Sequence, residues 1–109
     1  MKKMVKLSGT DYDSVLCFTG VFIPKNKDLV EKSFILMNST VHLGAESRGG
    51  AWEQKISGAK RYSLIEKTEN AIVLRIRYED AYGCLERVTR DANMLAEQIE
   101  ALLTALEEE

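Results

Sequence analysis

Residues 14–23 of this 109-residue chain read SVLCFTGVFI, and this stretch decides the fold class. Side chains of an extended strand alternate between its two faces. The odd-numbered positions carry Val15, Cys17, Val21 and Ile23, and the even-numbered positions carry Leu16, Phe18 and Phe22. A strand that is apolar on both faces is normally covered on both faces. The stretch therefore predicts a strand inside a sheet that has helices packed on both sides.

Two helical patterns follow this strand. Asp28 is a predicted N-cap, and residues 29–43 repeat apolar side chains at the spacing of a helix. A continuous apolar seam over residues 85–106 predicts a long helix that starts near residues 82–84 and ends near residue 106. A helix that lies on the sheet is favoured over a free coiled coil. One face of the first helix carries Val30, Phe34, Met37 and Val41.

Short apolar or alternating runs complete the predicted sheet. A turn is predicted at residues 8–11, a loop at residues 44–50 and a hairpin turn at residues 69–70. The order of elements is strand, strand, helix, two or three strands, helix. Because neither a repeat nor a linker divides the chain, residues 1–109 form one predicted α+β domain. The further strand candidates are residues 4–7, 52–56, 61–67 and 71–79.

Composition and charge exclude several classes of protein. An apolar fraction of 45% is enough to build a core without disulfides or a metal. A net charge of −2 argues against a nucleic-acid-binding surface. No apolar run approaches the ~18 residues of a membrane span, and no signal peptide is recognisable, so we expect a cytoplasmic protein without a membrane span. From Cys84 onward seven acidic residues accompany two basic ones, which favours a solvated helix face over an acidic surface for a basic partner.

The sequence offers no catalytic or metal-binding pattern. His42 is the single histidine, and nothing nearby would orient it for catalysis or complete a metal site. Asp11 and Asp13 lack the spacing of a calcium loop and are better explained as turn residues. Cys17 and Cys84 are interpreted as buried, reduced thiols. We therefore expect no enzyme, no cofactor and no metal site.

Two groups of arginines leave binding alternatives open. Residues 44–50 contain three glycines but match no phosphate-binding motif, although Arg48 could meet an anion there. Arg75 and Arg77 share the polar face of their strand and could contact acidic side chains of the last helix or of a partner. A small-ligand-binding or sensor domain, with a pocket between sheet and helix near residues 44–50, is the alternative to an interaction module. An enzyme whose groups meet only in three dimensions ranks third.

The hairpin at residues 61–78 (RYSLIEKTENAIVLRIRY) and the helix at residues 84–103 (CLERVTRDANMLAEQIEALL) resemble the roadblock family of dynein light-chain type. The resemblance implies an antiparallel sheet, here of four to five strands, with one helix on one face and the terminal helices on the other. The family opens with a helix before its first strand, and the thirteen residues that precede Ser14 leave little room for one.

The resemblance also implies a function. It suggests a homodimer built across the first helix and the strand near Trp52, and a regulatory or scaffolding role toward a small Ras-like GTPase or a related nucleotide-binding protein. The helix pattern agrees with a subunit contact, because leucines add a second apolar stripe that one sheet would not cover. The expected interface residues are Val30, Phe34, Met37, Val41 and Trp52.

Overall fold

A computed structural model describes residues 2–9, 14–41, 46–48, 51–56 and 58–108, without the side chains of residues 2, 40–41, 46–48 and 51–55. The elements in chain order are β1 (Lys2–Gly9), β2 (Val15–Ile23), α1 (Asp28–Val41), β3 (Glu46–Arg48), β4 (Ala51–Ile56), β5 (Ala59–Lys67), β6 (Ile72–Glu79) and α2 (Leu85–Glu107). The described strands form one sheet in the order β1-β2-β6-β5-β4-β3, and every neighbouring pair is antiparallel.

The strand register determines which side chains share a face of the sheet. Phe18 of β2 lies opposite Ile76 of β6, and Ile76 lies opposite Ser63 of β5. Because directly paired residues point to the same side, the even-numbered positions of β2 and β6 share a face with the odd-numbered positions of β5. The same rule places the odd-numbered positions of β1 on that face, since Leu7 pairs with Phe18.

Both helices pack on this one face, which we call the helix face. Asp91 of α2 accepts hydrogen bonds from Arg61 and Tyr78, which are helix-face residues of β5 and β6. Glu31 of α1 forms an ion pair with Lys67, another helix-face residue of β5. The two helices also contact each other. The fold is therefore a sheet with both described helices side by side on the same face.

The predicted α+β class and antiparallel sheet are confirmed, with two corrections. The sheet has six strands rather than four to five, because residues 46–48 of the predicted loop form β3. The two helices share one face instead of lying on both, which also departs from the arrangement that the roadblock resemblance implies. An apolar strand pattern indicates that a face needs covering, but it does not say which part of the chain covers it.

The hydrophobic core lies between the helix face and the two helices. Phe18, Phe22 and Ile76 from the sheet are buried there against Met37 of α1 and Ile99 of α2. A Cβ at Gly20 would stand only 3.0 Å from the ring of Phe22, so this glycine leaves room for a core aromatic ring. The helix face is therefore the core side of the sheet, and the side chains of the opposite face lie outside this core.

Element boundaries differ from the sequence-based expectation at one end of the sheet. β1 was expected over residues 4–7 with a turn at residues 8–11, yet β1 continues through Gly9. Its eight residues pair without interruption with β2, from Lys2 opposite Ile23 to Gly9 opposite Leu16. Pairing with a long neighbouring strand outweighs the weak strand propensity of Ser8 and Gly9.

Candidate functional site

The structure describes only some of the residues that the sequence suggested for catalysis, metal binding or ligand binding. His42, Asp11, Asp13 and the glycines at residues 44, 49 and 50 lie outside the described residues, as does the side chain of Arg48. Within the described part of the chain, no group of three or more His, Cys, Asp or Glu side chains could hold a metal ion. Both cysteines are free; Cys84 is buried as expected, whereas Cys17 is only half-buried.

The expected interface on α1 is covered by the chain itself. Val30 and Met37 lie in the core, with 5% and 0% of their surface exposed. Phe34 is half-buried against the core, and the ammonium of Lys67 lies 5.0 Å from its ring centre. The side chains of Val41 and Trp52 lie outside the described part, although the backbone of Trp52 pairs with Ser63. Val30, Phe34 and Met37 therefore do not form a free apolar surface on α1.

A buried polar cluster fastens α2 to the sheet. The Arg61 Nη1 donates to both carboxylate oxygens of Asp91, at 3.0 and 2.8 Å, and the hydroxyl of Tyr78 donates to Oδ2 at 2.5 Å. The Tyr78 side chain is fully buried. This burial, together with the hydrogen bond to the Asp91 carboxylate, raises the pKa of Tyr78 far above its ordinary value. The cluster lies between α2 and the sheet and links the helix to two neighbouring strands, which is a structural role.

The sequence contained only a weak signal for this cluster. Arg61 stands in a strand pattern at a position whose neighbours, Ser63 and Ile65, face the core. A charged residue on the core side of a strand requires a buried partner, because an isolated buried charge is costly. The pattern could have predicted that a carboxylate lies above Arg61, but not that Asp91 supplies it.

The opposite side of the sheet, which we call the open face, carries neither described helix. Its members follow from the strand register, and all of them point away from α1 and α2. They are Met4, Lys6 and Ser8 of β1; Val15, Cys17, Thr19, Val21 and Ile23 of β2; Lys60, Tyr62, Leu64 and Glu66 of β5; and Val73, Arg75, Arg77 and Glu79 of β6.

The open face has an apolar strip along β2. The five β2 residues on this face include no charged side chain, and all are half-buried. Met4 extends the strip onto β1, where 53% of its surface is exposed, and Val73 extends it onto β6. An antiparallel sheet with one face in water normally presents polar side chains on that face. β6 follows this rule with Arg75 and Arg77, whereas β2 does not.

Four of the charges on the open face form two pairs, and Lys6 and Lys60 also lie on this face. Arg75 Nε donates to Glu66 Oε2 at 2.6 Å, and Arg77 Nη2 donates to Glu79 Oε1 at 3.2 Å. The guanidinium of Arg77 also lies 5.1 Å from the ring centre of Tyr62. The expectation that these arginines contact acidic side chains of the last helix is therefore wrong, because α2 lies on the other face. Exposed pairs of this kind stabilise the chain only slightly, but they leave the centre of the face without a dominant charge.

A shallow cavity of about 420 Å³ occupies the centre of the open face. Side chains of the three central strands line it, and they are Cys17, Thr19, Tyr62, Leu64, Arg75 and Arg77. The sensor-domain alternative drawn from the sequence placed a pocket near residues 44–50, most of which lie outside the described residues. The described concavity instead belongs to the same face as the apolar strip.

Comparison with protein-family models, with curated proteins and with solved structures yields no match for this chain. Neither α1 nor α2, the helices of the described part, combines the length and the apolar character that crossing a membrane requires.

Proposed function

We propose that this chain is a non-catalytic, cytoplasmic interaction module that forms a homodimer and regulates a partner protein. The observation that supports this proposal is the apolar strip of β2 on the open face. Its sequence is that of a strand covered on both sides, yet the described residues cover only one side. Another polypeptide surface is the natural cover, because a contiguous exposed apolar patch marks an interaction site.

The physical reason is the apolar surface that the strip would remove from water. Complete burial of a valine or isoleucine side chain contributes about 1.5–3 kcal/mol. Val15, Val21 and Ile23 are already half-buried by their neighbours in the sheet, so covering each of them adds roughly 1 kcal/mol. Contributions of this size from several side chains offset part of the entropy that two molecules lose when they associate.

The partner class in this proposal comes from the roadblock resemblance. It is a small Ras-like GTPase or a related NTPase, on which the module would act without binding the nucleotide itself. The sequence supports this reading, because it contains neither of the standard phosphate-loop motifs. The element order also supports it, since a β-hairpin followed by a long helix closes the chain.

Light scattering coupled to size exclusion tests the homodimer. We expect twice the mass of the 12.3 kDa chain at micromolar concentrations. A strict monomer over the whole accessible concentration range would remove the homodimer from the proposal. The partner is tested separately by titration calorimetry with purified small Ras-like GTPases, each loaded with GDP and with a non-hydrolysable GTP analogue. Absence of binding to every GTPase in both nucleotide states would remove the partner class and leave the dimer.

A small-ligand-binding or sensor domain is the second candidate, and the cavity on the open face favours it. Its volume of about 420 Å³ falls within the range of ligand pockets, roughly 300–1,000 Å³. A thermal-shift screen with nucleotides and metabolites tests this candidate, because a ligand that binds only the folded state raises the melting temperature. A shift that Leu64→Arg abolishes would support a ligand at this site, and a flat screen at millimolar ligand would reject it.

A further inference from the structure

We infer that a second copy of this chain covers the open face, so that two sheets pack face to face and the helices lie outside. This inference depends on the proposed homodimer and identifies its interface. Of the residues expected from the sequence, Val30 and Met37 cannot serve, because they are core residues of the single chain. On the open face, apolar side chains of three neighbouring strands, among them Met4, Val21 and Val73, lie side by side.

The size of the open face matches what a stable dimer requires. Four strands spaced about 4.8 Å apart, each with eight or nine residues at about 3.3 Å per residue, cover roughly 500 Å². Two copies would then bury on the order of 1,000 Å², and the backbone of β4 extends the same sheet further. A specific interface needs about 1,000 Å² or more with good complementarity. Facing sheets of this kind pack at about 10 Å in β-sandwiches.

The arginine pairs of the open face are compatible with a second copy. Arg75 and Arg77 are already paired with Glu66 and Glu79, and Lys6 and Lys60 are the other charged side chains described on this face. These pairs lie beside the apolar strip rather than within it. In a two-fold interface each copy presents the same apolar strip flanked by the same two Arg–Glu pairs, so the charges of Arg75 and Arg77 are already compensated within each copy.

Two other surfaces of the described residues are weaker candidates for the dimer interface. Pairing through the outer edge of β1 would join two sheets, but it would leave the β2 strip exposed to water. On the helix side, Val5 and Leu7 of the edge strand β1 are each 42% exposed, but they form a smaller patch than the β2 strip, and Ile35 and Met94 are exposed on different helices. Scattered single apolar residues are normal on a protein surface. The open face is the surface whose covering removes the unfavourable feature.

Substitution at the centre of the strip tests the inferred interface. Val21→Arg places a charge between Met4 and Val73 on the open face, where the half-buried side chain can reach water in the monomer. We expect the dissociation constant of the dimer to rise about 30-fold or more, as for a central contact residue. Ile35→Arg is the matched control, because Ile35 is 59% exposed on the helix side, and it should leave the dimer unchanged. Circular dichroism verifies that both variants are folded.

Alkylation of the Cys17 thiol tests the same interface without any substitution. Cys17 is half-buried on the open face, whereas Cys84 is buried on the helix side of the sheet. If the face is covered in the dimer, alkylation of Cys17 by iodoacetamide should slow at least tenfold when the concentration rises through the dissociation constant. The modified residue is identified by mass spectrometry of peptides.

The outcomes separate the interface from the homodimer itself. A dimer that Val21→Arg leaves intact, with Cys17 equally reactive at all concentrations, would overturn the assignment of the open face while the homodimer stands. A wild-type protein that remains a monomer, with Cys17 reactive throughout, would overturn both. Weakened dimerisation together with concentration-dependent protection of Cys17 is the result that we expect.

Discussion

Replacement of Asp91 by alanine tests how the long helix is held on the sheet. Asp91 accepts hydrogen bonds from Arg61 and Tyr78, whose side chains come from two neighbouring strands. Without this carboxylate, the guanidinium of Arg61 and the hydroxyl of Tyr78 lose an acceptor in a site from which water is largely excluded. The relative exposure of the Arg61 and Asp91 side chains is 10% and 21%.

The expected loss follows from this burial. Removal of one partner from a fully buried ion pair costs about 3–5 kcal/mol. Because Asp91 is partly exposed, we expect the lower end, about 3 kcal/mol of the free energy of unfolding. Unfolding entropy is about 2.1 cal/mol/K per residue, or roughly 0.23 kcal/mol/K for a chain of this length, so the melting temperature should fall by about 13 °C.

Urea denaturation followed by circular dichroism measures the effect, with all variants at the same concentration because dimerisation would add to apparent stability. Glu97→Ala, at an exposed position of the same helix, is the control and should change the free energy of unfolding by less than about 0.5 kcal/mol. The combination of Arg61→Met, Asp91→Leu and Tyr78→Phe should recover most of the loss, since apolar residues often replace a buried ion pair without cost and the third change removes the hydroxyl that would lack an acceptor. A loss below about 1 kcal/mol for Asp91→Ala would refute the claim that the cluster anchors α2.

Three further predictions concern single positions. The pKa of Tyr78 is raised in the folded state, so the free energy of unfolding should fall as the pH rises above about 10, the ordinary pKa of tyrosine. Tyr78→Phe should be less stable near neutral pH but should lose less free energy of unfolding between about pH 8 and pH 11. Equal losses for both proteins in urea denaturation over this pH range would contradict the prediction. Gly20→Ala should cost about 1–2 kcal/mol, because its Cβ would press on the buried ring of Phe22, and an unchanged melting curve would show that the ring gives way freely. Gly83→Ala should lower the free energy of unfolding by about 1 kcal/mol, because alanine disfavours the backbone φ of +70° at this position. No atom lies within 4 Å of the added Cβ, so the backbone conformation is the whole cause. Gly83→Asn should lower the free energy of unfolding less, since asparagine adopts this conformation more readily.

Periodicity predicted the local elements of this chain well. α2 occupies residues 85–107 where an apolar seam was expected over residues 85–106, because side chains spaced by three and four residues can be buried together only on a helix. β6 was expected from the alternation around Arg75 and Arg77, and it occupies residues 72–79. These features depend on neighbours within a few residues, which the sequence displays directly.

The candidate site was less accessible to such reasoning. The wide apolar surface of α1 suggested a subunit contact, but the sheet and α2 cover Val30 and Met37 within the same chain. Contacts of Arg75 and Arg77 with the last helix or with a partner were both considered from the sequence, and the structure pairs them with Glu66 and Glu79, because the arginines point away from both helices. The burial of α1 and the partners of the two arginines both depend on which face of the sheet each helix packs against.

By itself, the sequence determined the α+β class, both helices, most strands and the fact that β2 is apolar on both faces. Only the tertiary structure decided that α1 and α2 share the helix face, that Asp91 meets Arg61 and Tyr78, and that one face of β2 remains open. The physical reason is that an apolar side chain is stabilised by leaving water, whatever surface covers it. A pattern of residues therefore records that a surface must be covered, while the packing of the whole chain determines what covers it.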